Sequence, residues 1–159
     1  MLNLDINNEL EASVIELPCS EQFQLWLETA LSFAHNTGLK TKNSELEISL
    51  SLVSIEQIQH LNAEYRHKNK PTNVLSFPTD FPEELCIGLL GDIIICAEVV
   101  KAEAKAQNKD LFAHWAHMSI HGCLHLLGFD HIEEQEAEAM EALEVRILQD
   151  LGIENPYLV

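Results

Sequence analysis

Apolar and polar residues alternate over Leu2-Asn3-Leu4-Asp5-Ile6, so the chain opens on a strand with one buried face. Phe23, Trp26, Leu27, Ala30, Leu31 and Ala34 then recur at helical spacing, with Ser20 as the cap and Gly38 as the stop. Ile48, Leu50 and Leu52 alternate with Glu47, Ser49 and Ser51, which is a second strand. Ser54 and Gln57 have capping-box spacing and open a short helix through about Leu61. The stretch from Tyr65 to Thr72 is polar, basic and broken by Pro71, and reads as a loop. Val74 to Phe77 is a strand ending at Pro78, and a loop rich in proline and acids follows. Leu89 to Ile95 is nearly all apolar, as a buried strand is, and Ala97 to Gln107 is a helix. Asp110 caps a helix over Leu111 to Leu127 that stops at Gly128. The last helix spans Glu133 to Leu151, with Met140, Leu143, Ile147 and Leu151 on one stripe and Gly152 as its stop. Four strands and five helices without strict βαβ alternation predict an α+β fold, a small mixed sheet with helices packed on it.

The 159 residues carry no internal repeat, low-complexity tract or linker, so residues 1–159 are expected to form a single domain. No apolar run approaches the roughly 20 residues of a membrane span. The start, MLNLDINNEL, has neither a basic nor an apolar leader segment, so a cytoplasmic location without membrane partners is expected. Cys19, Cys86, Cys96 and Cys123 show no C-x-x-C spacing and are expected to be reduced thiols in or near the core. Cys123 lies inside a histidine cluster.

Twenty-six acids against nine bases give a net charge of -17, which repels polyanions and argues against general nucleic-acid binding. The bases are not spread evenly. Arg66, Lys68 and Lys70 put three of the nine within five positions, while acids crowd Glu133 to Glu144.

The segment that carries chemistry is His121-Gly-Cys-Leu-His125-Leu-Leu-Gly128-Phe-Asp130-His131. His121 and His125 stand four apart on a helix, so their imidazoles share a face one turn from each other. A glycine three residues later can take positive φ, end the helix and bring His131 round to the same point. Three converging imidazoles leave a coordination position for water, which is how a catalytic Zn2+ site is built. The spacing H-x3-H-x2-G-x2-H matches the metzincin ligand frame. A zinc protease would place its glutamate base directly after the first histidine. Here that residue is Gly122. His117, one turn before His121, is the candidate proton carrier, and His114 lies one further turn back as a structural or solvated residue. Asp130 is positioned to orient a ligand imidazole.

These residues resemble the signature of the YbeY-type bacterial endoribonucleases of rRNA maturation, H-G-x-L-H-L-x-G-[YF]-D-H. Tyr65-Arg66-x-Lys68-x-Lys70-Pro71-Thr72-Asn73-Val74-Leu75-Ser76-Phe77-Pro78 and Leu90-Gly91-Asp92-Ile93 extend the resemblance over most of the chain from about Ile48. It implies a metal-dependent endonuclease on single-stranded rRNA that trims the 3′ end of 16S rRNA and serves ribosome quality control in the cytoplasm. The family's zinc histidines carry over onto His121, His125 and His131, and its functional arginine onto Arg66. Arg66, Lys68 and Lys70 then bind substrate phosphates, Arg66 bidentately. The acidic surface suggests that a ribosomal small-subunit protein delivers the RNA. The rival readings are a metal-stabilised assembly factor without catalysis and a zinc peptidase with a base from elsewhere. Three imidazoles would also suit nickel.

Overall fold

In the computed structural model, residues 2–10, 16–35, 46–79, 88–129 and 133–158 are described. Among them the elements run β1 (Leu2–Asn8), α1 (Ser20–His35), β2 (Leu46–Val53), α2 (Ile55–Arg66), β3 (Val74–Pro78), β4 (Leu89–Cys96), α3 (Ala97–Ala106), α4 (Leu111–Leu126) and α5 (Glu134–Asp150). The strands form one mixed sheet in the order β1-β2-β4-β3. β1, β2 and β4 are parallel, and β3 closes one edge antiparallel to β4, Ser76 opposite Ile93. The α+β expectation holds. The expected stop at Gly38 and most of the acidic loop after Pro78 lie outside the described residues.

Strand alternation distributes the apolar side chains between two cores. Ile48, Leu50, Leu52, Ile93 and Ile95 join Phe23, Leu27, Trp115, Ile120, Leu124 and Ile147 in the large core under α1, α4 and α5. Val53, Leu75 and Cys96 meet Ile58 of α2 on the opposite face. The capping box at Ser54 forms in both directions, and Asp110 caps α4 through the Ala113 N–H at 3.0 Å.

Two local expectations are corrected. Tyr65 and Arg66 are not loop residues but the last turn of α2. That turn persists because His67 takes the left-handed conformation at φ 59° and its N–H closes on the Asn62 carbonyl. Asn62 is buried and its amide donates to the Lys70 carbonyl at 2.9 Å, so one side chain shapes the basic turn after the helix. The thiols are not all near the core either: Cys19 is exposed, whereas Cys96 and Cys123 are buried.

α4 lies against β3 and β4 at Gly122. A Cβ there would come within 2.9 Å of Ile93 Cγ2 and 3.2 Å of Val74 Cγ2. The helix can approach the sheet this closely only because the residue has no side chain. Gly122→Ala is therefore expected to destabilise the protein by about 1–3 kcal/mol, through overpacking that outweighs alanine's better helix propensity. A urea unfolding midpoint equal to or above wild type would contradict this contact.

Candidate metal centre

α4 presents a column of histidines, His114, His117, His121 and His125, with successive ring centroids 6.2, 6.3 and 4.6 Å apart. Spacings of three and four residues keep them on one face over about three turns. The helix is otherwise apolar and largely buried, so the column runs from the interior toward the surface. His114 and His117 are buried, whereas His121 and His125 are half-buried at the helix end.

The Nε2 atoms of His121 and His125 lie 3.1 Å apart. One Zn2+ with bonds of about 2.0–2.1 Å could touch both. On the other side of its ring, His121 Nδ1 is 2.8 Å from Glu144 Oε1. An ionised carboxylate only accepts, so Nδ1 carries the proton and Nε2 keeps its lone pair toward His125. This is the histidine–carboxylate arrangement that orients metal-binding imidazoles.

Glu144 is fully buried on α5. Its second oxygen, Oε2, accepts from His117 Nε2 at 2.5 Å and from the Tyr157 hydroxyl at 2.6 Å. Burial alone would raise the carboxyl pKa, but the hydrogen bonds donated by His117 and His121 prevail and hold it at about 2. The ligand atoms of His117, His121 and Glu144 lie within 4.8 Å of one another, so they too form a group able to hold a metal. The two candidate sites share His121 and lie on opposite sides of its ring.

Gly128 takes φ +96°, and the Phe129 N–H closes on the Leu124 carbonyl at 3.1 Å, so the expected helix stop is present. Asp130 and His131, which the turn leads into, lie outside the described residues.

Arg66 is exposed at the end of α2, and its Nη2 donates to the Ser76 carbonyl at 3.0 Å. Ser76 in turn donates from its hydroxyl to the Gly122 carbonyl at 2.9 Å. Two hydrogen bonds thus tie the guanidinium to the backbone beside His121. One contact leaves further Arg66 N–H groups for an anion. Lys68 and Lys70 are exposed on the turn that follows.

These residues sit in a recognisable family. The family model for endoribonuclease YbeY matches residues 5–152. The chain belongs to the YbeY family. An endoribonuclease YbeY from Colwellia psychrerythraea (strain 34H) is 52% identical over 153 residues, covering 96% of this chain and 96% of that protein. The solution structure of TM1509 from Thermotoga maritima has the same fold, with a TM-score of 0.55 at 22% identity over 99% of this chain and 100% of that one.

Sequence reasoning missed two members of this YbeY centre, Glu144 and Tyr157. Glu144 did leave a signal, since it stands four residues after Met140 on the apolar stripe of its helix. It lay among so many acids that it read as part of a solvated run. His114, expected to be structural or solvated, is buried and pairs with Glu103 at 3.1 Å. Burial lowers its pKa, partly offset by Glu103.

Cys123 is enclosed within α4, and burial pushes its thiol pKa up to about 12. Burial also raises Cys96. Burial thus keeps both as thiols rather than free thiolates near neutral pH. Thiol titration of the native protein at pH 8 is expected to leave Cys96 and Cys123 unmodified while Cys19 reacts. Labelling of Cys123 without denaturant would show that the helix opens far more readily than its packing implies.

Proposed function

We propose that this YbeY-family protein is a zinc-dependent endoribonuclease cutting single-stranded RNA, and that its role is 16S rRNA 3′-end maturation and ribosome quality control in the cytoplasm. The observation that carries the reading is the His121–His125 pair, with its Nε2 atoms 3.1 Å apart and Arg66 linked to the same helix. The full ligand set proposed is His121, His125 and His131. Glu144 is assigned to orientation, because it is fully buried and N–H or O–H groups already occupy both of its oxygens.

Zinc held by His121, His125 and His131 would supply a water whose pKa is lowered toward about 7. The chain's own residues do the rest. Arg66 holds the scissile phosphate and offsets charge that develops on it. Lys68 and Lys70 hold neighbouring phosphates, so binding should weaken steeply with salt. His117 is 6% exposed with Nε2 on Glu144, which suits support of the carboxylate. We therefore assign it that role in preference to carrying protons to substrate. Asp130 remains the proposed partner of a ligand imidazole.

Gly122 disfavours the peptidase alternative, because even a methyl group there would crowd Ile93. The net charge of -17 favours delivery of the RNA by a small-subunit protein or the ribosome itself.

A labelled single-stranded fragment of the rRNA 3′ end, incubated with zinc-loaded protein, is expected to be cut by wild type and not by His125→Ala. A chelator should abolish cutting, and added Zn2+ restore it. Arg66→Ala should lower kcat by about 10²- to 10³-fold while leaving zinc affinity unchanged. Equal cutting by wild type and His125→Ala would refute the metal mechanism. Failure of wild type to cut both the fragment and whole small subunits would favour the non-catalytic assembly factor.

A further inference from the structure

The residues after α5 look like a short tail, yet their local chemistry fixes them. Gly152 takes φ +78°, and the Ile153 N–H returns to the Leu148 carbonyl at 2.8 Å, which reverses the chain at the helix end. Ile153 then packs against the main core. The Asn155 side chain accepts from the Tyr157 N–H at 2.9 Å, and Pro156 lies inside that turn. The result aims the Tyr157 ring back along α5 toward the histidine column. Its ring stands edge-on to His117, with centroids 5.4 Å apart. The hydroxyl donates to Glu144 Oε2 at 2.6 Å and lies 3.2 Å from His117 Nε2.

We propose that Tyr157 is a positioning residue for the metal centre: the C-terminal tail holds Glu144, and Glu144 holds His121 with Nε2 facing His125. This rests on the metal reading above.

A buried carboxylate is tolerated only when donors satisfy it. Among the described residues Glu144 has three: His121 on Oε1, and His117 and Tyr157 on Oε2. His117 can give only one proton from Nε2, and its Nδ1 is buried with no hydrogen-bond partner among the described residues. That nitrogen is best accommodated as a bare lone pair, since an orphaned N–H would cost more. His117 therefore stays in the Nε2–H form, and the Tyr157 hydroxyl gives Oε2 its second donor. Without the hydroxyl, Oε2 relies on His117 alone, and the carboxylate can rotate away from His121. His121 then loses the bond that keeps the proton on Nδ1. Its other ring nitrogen becomes partly protonated in the metal-free protein and meets the ion less well.

The test uses the full-length chain with Zn2+ alone as probe, in competition with a chromophoric chelator. Loss of a partner behind a metal histidine typically weakens affinity about 10- to 100-fold. Glu144→Gln is expected to fall in that range, and Tyr157→Phe, one bond further out, near its lower end at about 10-fold. Tyr157→Phe keeps the ring, so its metal-free thermal midpoint should stay close to wild type. Nitrogen NMR of metal-free protein should show His121 protonated at Nδ1 in wild type and as a tautomer mixture in Tyr157→Phe. Wild-type zinc affinity in Tyr157→Phe, while His125→Ala binds weakly, would overturn the tail's role and leave the metal reading intact. An affinity loss accompanied by a large drop in the metal-free midpoint, with the His121 tautomer unchanged, would make Tyr157 merely structural and also overturn it. Equal zinc binding by wild type and His125→Ala would overturn both.

Discussion

The centre of this molecule depends on one buried charge. Glu144 sits between α4 and α5 with no exposed surface, and a carboxylate there is stable only if donors converge on it. They come from three places: two successive turns of α4 and a tail that doubles back after α5. Satisfying that charge therefore fixes the angle of α4, the seating of α5 and the path of the tail at once. It also fixes the proton on His121, and so which nitrogen faces outward. A structural requirement and a chemical one are met by the same bonds.

The second constraint is the close approach of α4 to the sheet. Gly122 lets the helix settle on Ile93 and Val74, and its carbonyl receives the Ser76 hydroxyl. The carbonyl of that same Ser76 is covered by Arg66. The edge strand β3 thus relays position between a helix on one face of the sheet and a guanidinium from the other. The residue directly after His121 is here the contact point for the sheet, and a guanidinium bonded to the edge strand stands beside it.

Charge distribution fits that division of labour. The chain is strongly acidic, yet Arg66, Lys68 and Lys70 are exposed together at the end of α2. A small cationic spot on an anionic body is the arrangement that the proposed phosphate contacts call for, because the surrounding acids repel other polyanions.

Much was legible from the sequence alone. Period-two and period-3.6 patterns placed β1, β2, α1 and α5, because each of these buries one face and the burial writes the period, while a nearly all-apolar run marked β4. The caps at Ser54 and Asp110 and the stop at Gly128 were readable because they depend on residues within a few positions. So was the His121–His125 pair, since helical spacing sets which side chains share a face. The extra turn of α2 was not, because it ends on His67 in the left-handed conformation, which a non-glycine residue seldom adopts and its type does not announce. Glu144 and Tyr157 were not, because nothing local marks one acid among many, or one tyrosine near the end, as buried. Only tertiary packing brings residues 117, 121, 144 and 157 to one carboxylate, since those contacts span 13 to 40 positions of chain. Local periodicity determined which imidazoles could meet, and the packing of α5 and its tail on α4 decided which way they point.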